Sequence, residues 1–288
     1  DELLRRADVA MYQAKTNGRN ALCFFDPQMQ EALLERASMQ NDLRRVVERE
    51  ELVLHYQPQF DEHRRVVGAE ALLRWQHPVR GTVAPADFIP LAEETGLILP
   101  IGTWVLDTAC RKLREWEKLP AMRHLVLAVN VSAKQFHQPD FVAVVRRILD
   151  ETGVNPRRLK LELTESVVIN DMADAVEKMK TLKSLGIAFS MDDFGTGYSS
   201  LLYLRRLPLD QLKIDRSFIS EIESNAGDAA IVQTIIGMAR SLGLDVIAEG
   251  VEKEGQHQFL KLNHCPEYQG YLFGQPVPAA IFEATFKT

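Results

Sequence analysis

The chain has 288 residues, 46% hydrophobic and 26% charged, the balance of a globular protein with a full core. Its 40 acidic residues outnumber 34 basic ones for a formal charge of −6, which argues against a general binder of DNA, RNA or an anionic membrane surface. Cys23, Cys110 and Cys265 lie far apart and in no metal-ligand spacing, so they read as free thiols of a reducing cytosol. No apolar run reaches the length of a membrane span, and no signal peptide is visible.

Taken in order, residues 1–25 read as one amphipathic helix carrying Leu3, Leu4, Ala7, Ala10, Met11 and Ala14. A turn at Asn17-Gly18 and a short apolar run over 21–25 complete it. Such a pair cannot bury both faces alone, so 1–27 reads as the end of a domain cut away upstream. Residues 28–50 are charged and helical, with Met29, Leu33, Ala37, Leu43 and Val47 on one stripe, and are expected to form a linker helix. The alternative is a helix packed on the domain C-terminal to it.

From residue 51 to 288 strands alternate with helices. The strands are expected near 52–58, 67–73, 125–131, 159–163, 187–192, 209–214, 244–248 and 267–272. Helices are expected at 86–118, 140–152, 171–185, 226–242, 253–262 and 278–286. This alternation predicts an α/β fold, a (β/α)8 TIM-like barrel, whose usual size is about 250 residues. The first two strands are joined only by 61–65, too short for a parallel crossover, so the first strand should be antiparallel.

The strand ends carry the chemistry. The run 159–163 delivers Glu162 and Glu165, and 187–191 delivers Asp192 and Asp193 before the turn 194–197. Other strands close on Glu70 with Arg74, on Asn130, on Lys213 with Asp215, on Glu249 with Glu252, and on Gln269. In a barrel these ends meet on one face. Each residue alone has an ordinary explanation as a helix cap or surface charge. Together, about seven carboxylates in one pocket would repel one another unless cations are present. An oxygen-only donor set, without histidine or cysteine, favours Mg²⁺ or Mn²⁺ over zinc. The neighbours Asp192 and Asp193 suit two metals about 3.5–4 Å apart, an arrangement used for phosphodiester hydrolysis.

The wording of these segments resembles the EAL-domain cyclic di-GMP phosphodiesterases. The resemblance spans about residues 35–288 and includes Tyr56-Gln57-Pro58, EALLRW, FIPLAEETG, NVS, LELTES, DDFGTGYSSL, LKID, AEGVE and QGYLF, in the family's order. It implies a barrel with an antiparallel first strand and metal ligands at Glu70, Asn130, Glu162 and Asp192, with Asp193 and Glu249 serving a second Mg²⁺ or Mn²⁺. Lys213 would hold the attacking water, and Glu249 would be base or ligand. Arg74, Gln57 and Gln269 would contact substrate, while Glu252, Asp215 and Glu165 would support the site from behind. The resemblance further implies that Glu165 anchors the loop 196–200 and links metal binding to a homodimer through the barrel. The product would be linear 5′-pGpG. Upstream, LLRRADVAMYQAKTNGRN resembles the C-terminal tail of a GGDEF diguanylate cyclase domain, although the GGDEF loop itself is absent. A GGDEF or sensory domain is therefore expected before this chain, the chain itself being cytoplasmic and any membrane anchor lying upstream. Two rivals are a receptor that binds cyclic di-GMP without cleaving it, and a different metal-dependent barrel enzyme. No expected position is substituted, which favours hydrolysis over the receptor, and the ordered motif set disfavours the other barrel enzyme.

Overall fold

Successive side chains of a strand point to opposite faces, so a strand in a barrel sends alternate residues to the axis and to the surrounding helices. The computed structural model describes residues 24–169, 171–195 and 204–286, together with 4, 6, 7, 9–11 and 22. The helix expected over 1–25 and the run 21–25 therefore fall largely outside the described residues, as do Cys23 and the loop 196–200.

Ten strands form one sheet: β1 (Leu52–Asp61), β2 (Val66–His77), β3 (Gly81–Val83), β4 (Val126–Asn130) and β5 (Leu159–Thr164), then β6 (Ala188–Phe194), β7 (Gln211–Ile214), β8 (Asp245–Ala248), β9 (Glu267–Tyr268) and β10 (Val277–Pro278). Eight of them close into a barrel in the order β1, β2, β4, β5, β6, β7, β8, β9, with β9 returning to β1. β1 runs antiparallel to both neighbours. The others run parallel, from β2 through to β9. The expected (β/α)8-type barrel with an antiparallel first strand is what forms. The turn after β1 is held by Asp61, whose carboxylate accepts from the backbone N–H of His63 at 2.9 Å and of Arg65 at 2.8 Å.

Two helical segments differ from expectation. The stretch 86–118 is split into Pro85–Thr95 and Ile98–Trp116, because Gly96 takes the left-handed conformation, φ 80°, that ends a helix. The segment 28–50 is helical only over Pro27–Leu43 and continues in turns. It lies against the barrel: Leu43 and Val46 are buried in the core, Arg36 pairs with Glu94 at 2.5 Å, and Arg80 with Glu35 at 2.8 Å.

The main apolar core lies between barrel and helices. It takes Leu127 and Val129 from β4, Leu161 and Leu163 from β5, Phe189 and Met191 from β6, and Leu212 and Ile214 from β7. On β5, β6 and β7 their alternation partners are polar and buried, Glu162, Ser190, Gln211 and Lys213, while on β4 the partner is Ala128. The barrel axis is thus lined with hydrogen-bonding groups, unlike the branched aliphatic filling usual in such barrels. Cys110 and Cys265 are buried free thiols.

The last helix, Ala279–Ala284, seals the outside of β1. Phe282 stacks on Trp116 with ring centroids 5.0 Å apart, and Trp116 meets Tyr56 edge-on at 5.1 Å. Trp116 Nε1 also donates to Glu283 at 3.0 Å. Phe282→Ala should remove a fully buried ring and cost about 3–5 kcal/mol. Urea denaturation would read the loss, and a change below about 1 kcal/mol would mean the terminal helix is not part of the cooperative barrel.

Candidate active site

The site is built at the C-terminal ends of the parallel strands, where the ladder sets neighbouring side chains in register. Gln57 of β1 faces Glu70 of β2, and Asn130 of β4 faces Glu162 of β5. Lys213 of β7 faces Ile247 of β8, with Glu249 just beyond that strand. These positions all point to the barrel axis, so residues distant in sequence share one space.

Lys213 occupies its centre and is 1% exposed. Its Nζ lies 2.5 Å from Glu162 Oε2, 2.6 Å from Glu249 Oε1, 3.1 Å from Asp192 Oδ1 and 3.7 Å from Glu70 Oε1. Burial alone would strip the proton from a lysine, at a cost of several kcal/mol per ion. Each close carboxylate opposes this by about 4 kcal/mol at an effective dielectric near 20. Four partners outweigh burial, and Lys213 is held well above its ordinary pKa. The carboxylates are less fortunate. Burial and mutual repulsion lift Glu162 well above its ordinary value despite Lys213, and lift Glu249 to about 8.

Glu70 is oriented by amides. Asn130 Nδ2 donates to its Oε1 at 2.6 Å, and Gln269 Nε2 donates to its Oε2 at 2.5 Å. Gln269 Nε2 also donates to Gln57 Oε1 at 3.1 Å, while Gln57 Nε2 donates to the Gly274 carbonyl at 3.1 Å. Above this floor opens a cavity of about 310 Å³. Glu70, Asp192, Lys213 and Glu249 line one part of it, and Arg74, Glu252 and Tyr271 another. Arg74 keeps one N–H on the Leu73 carbonyl at 2.8 Å.

The structure brings together Glu70, Asn130, Glu162, Asp192, Lys213, Glu249, Gln57, Gln269 and Arg74, with Glu252 at the rim. It sets Asp193 and Asp215 apart from the cavity lining. Asp193, the next residue after Asp192, is exposed and left-handed at φ 53°. Its carboxyl is lifted by burial and by the charges of Asp192 and Asp215. Asp215 caps the helix Arg216–Ser220, and for it the N–H and O–H of Ser217 outweigh burial and hold its carboxyl low. Glu165, also buried, accepts from the Gly195 N–H at 3.0 Å and so grips the chain where the loop 196–200 leaves β6.

Sequence reasoning missed Arg216, which lines the cavity, and Gln59, which is buried beneath it. Gln59 had a signal: it follows Gln57 by two on the same strand, and so shares its inward face.

Among the described residues, no three His, Cys, Asp or Glu side chains stand grouped around a single point that would hold an ion. The carboxylates instead surround the Lys213 ammonium. The donor set nevertheless fits a divalent cation. One ammonium faces four carboxylates, and among the described residues the buried Glu162 Oε1 has no hydrogen-bond partner. Lys213 alone cannot neutralise the group.

A model of the EAL domain family matches residues 40–276. Over 279 residues, 96% of this chain, the sequence is 47% identical to the bifunctional diguanylate cyclase/cyclic di-GMP phosphodiesterase MucR of Pseudomonas aeruginosa, and spans 41% of that protein. It is 39% identical over 285 residues, 99% of the chain, to the cyclic di-GMP phosphodiesterase PdeR of Escherichia coli, and spans 43% of it. Among solved structures, the PaMucR phosphodiesterase in complex with c-di-GMP superposes with a TM-score of 0.83 at 47% identity, covering 85% of this chain and 99% of that one.

The charge balance makes its own prediction. Lys213→Met should leave buried carboxylates uncompensated and destabilise the metal-free protein by about 3–5 kcal/mol. Unfolding in EDTA would show the loss, and excess Mg²⁺ or Mn²⁺ should restore part of it. A variant as stable as wild type in EDTA would refute this electrostatic account.

Proposed function

This chain belongs to the EAL domain family, and from that premise we propose that it is a divalent-metal-dependent phosphodiesterase that hydrolyses cyclic di-GMP to linear 5′-pGpG. The observation that carries the reading is the convergence of four carboxylates, from separate strand ends, on Lys213, three of them (Glu70, Asp192 and Glu249) lining a cavity that Arg74 also lines. An anionic diester needs cations there, and the carboxylates are the groups that would bring them in.

In this reading Glu70, Asn130, Glu162 and Asp192 would hold one Mg²⁺ or Mn²⁺, and Glu249 would serve a second, which Asp193 would join only by turning from Asp215 toward the cavity. The bound cations supply positive charge to the phosphodiester and lower the pKa of water. The chain's own residues do the rest. Asn130 and Gln269 fix both oxygens of Glu70, so that its donor atoms are aimed before substrate arrives. Lys213, its proton secured by its neighbours, would turn one N–H from a carboxylate to the attacking oxygen once cations are bound, orienting it for in-line displacement of the 3′ oxygen. Glu249, whose Oε1 lies 2.6 Å from Lys213 Nζ, would act either as a ligand of the second cation or, deprotonated, as the base that takes the proton of the water. The Arg74 guanidinium provides a fixed fork for a phosphate, and Gln57 a polar contact at the floor.

The same premise extends to organisation. We take 51–288 as the catalytic barrel, 28–50 as the connecting segment and 1–27 as the tail of an upstream GGDEF-like domain, with the barrel working as a cytoplasmic homodimer. Glu165, bonded to the Gly195 N–H, is the element through which the site would sense that dimer. Among the described residues no helix is long and apolar enough to cross a membrane.

Incubation with cyclic di-GMP and Mg²⁺ or Mn²⁺, resolved by chromatography beside an EDTA control, should give a linear dinucleotide only when metal is present. Binding without cleavage would replace the hydrolase with a receptor. Glu70→Ala should lower turnover more than about 100-fold while the fold persists, because even residues behind a ligand cost 10–100-fold. Near-normal hydrolysis by that variant would remove Glu70 from the ligand set. Glu165→Ala should weaken both metal response and self-association in sedimentation, and an unchanged dimer with unchanged metal dependence would count against that link.

A further inference from the structure

Gln59 lies deeper in the barrel than Gln57, outside the cavity lining, and is 1% exposed. Its Nε2 donates to Gln269 Oε1 at 2.9 Å. A primary amide has one accepting end and one donating end, and the two differ only by a half-turn of the group. With the Gln269 oxygen committed to Gln59, the Gln269 nitrogen must face the other way. It does, donating to Glu70 Oε2 at 2.5 Å and to Gln57 Oε1 at 3.1 Å. The reversed amide would set a carbonyl oxygen against a buried carboxylate and forfeit a charge-assisted hydrogen bond.

The space for Gln59 is made by its strand partner Gly68, where a Cβ would stand 3.1 Å from Gln59 Oε1 and 2.6 Å from the Val126 carbonyl oxygen. Glycine there leaves the space that the Gln59 amide uses. The chain of contacts runs from β1 to the loop after β9 and back to β2, and every side chain in it is buried.

We propose that Gln59 is a positioning residue: by accepting only one orientation of the Gln269 amide, it holds Glu70 aimed at the divalent cation. The proposal rests on the reading of Glu70 as a cation ligand. Gln59 touches neither substrate nor metal and acts through Gln269 alone.

Gln59→Met removes the donor at nearly constant volume, and Gln59→Leu serves if the first variant does not fold. Turnover of cyclic di-GMP should fall about 10–100-fold with KM little changed, and Mn²⁺ affinity, read by the spin resonance of free Mn²⁺, should weaken by a similar factor. In a Gln269→Ala background the same substitution should add nothing, since the two act in series. The Gln269 side-chain NH₂ cross-peaks, assigned by their loss in Gln269→Ala, should be protected from exchange in wild type and lose that protection in Gln59→Met. Native turnover and native Mn²⁺ affinity in the Gln59 variants would overturn the proposal. So would full additivity with Gln269→Ala, the mark of a merely structural role. If wild type neither cleaves cyclic di-GMP nor binds Mn²⁺, the phosphodiesterase reading fails by itself. The cross-peaks then decide the positioning role: retained protection in Gln59→Met overturns it, and lost protection supports it.

Discussion

The structure depends on one ammonium group held inside a barrel. Lys213 is buried with four carboxylates within 3.7 Å, and neither side of that arrangement is stable without the other. Remove the cation and the acids repel across a low-dielectric space. Remove the acids and the cation sheds its proton. The acids share that one charge unequally: Glu162 and Glu249 meet burial and repulsion by holding on to protons, Glu249 up to about pH 8. On the phosphodiesterase reading, a divalent cation would take the place of those protons, so the group that stabilises the barrel would also be the one that works.

That arrangement requires a barrel built inside out relative to the usual aliphatic filling. The apolar stabilisation has been moved to the outer layer, where Leu161, Leu163, Phe189, Met191, Leu212 and Ile214 meet the helices. Many inward positions are then given to polarity, alongside small or apolar ones such as Ala128 and Ile247. Below the site Gln211 accepts from Lys160 at 2.7 Å and donates to Glu267 at 2.7 Å. Higher up, Gln59, Gln269 and Gln57 pass donors and acceptors along to Glu70. A satisfied polar network fixes orientation more sharply than methyl groups would, because each amide has a wrong way round. The site is supported by a scaffold that already discriminates direction.

The fold was legible where the sequence alternates cleanly. Strands ending in Glu162, Asp192, Lys213 and Glu249 announced themselves as short apolar runs closing on charge, and the five residues of 61–65 forced the antiparallel β1. The break at Gly96 was also there to read, since a glycine within a long helical pattern is a common stop. Pairwise chemistry was less legible. Asp192 and Asp193 look equivalent in sequence, yet the strand register breaks between Met191 and Phe194 and Asp193 turns left-handed, so Asp192 enters the cavity and Asp193 stands beside Asp215. Glu165 announced a carboxylate but not its partner: the Gly195 N–H lies across a parallel strand pair, and that partnership belongs to the closed barrel. Arg216 follows Asp215 in what reads as a helix start, and nothing local says that its side chain borders the cavity.

The cavity carries both signs of charge: Glu70, Asp192, Glu249 and Glu252 line it together with Lys213, Arg74 of β2 and Arg216 after β7. With cations bound as proposed, a ligand with two phosphates joined in a ring could meet the guanidinium groups and the cations at once. Attachment at two points converts the second contact into an intramolecular one, which gains orientation without further binding entropy. Tyr271, largely exposed at the rim, adds an aromatic face beside that path, suited to a planar base. On the phosphodiesterase reading, that distribution would suit a two-phosphate nucleotide, and the buried amides beneath would present it with a carboxylate already oriented.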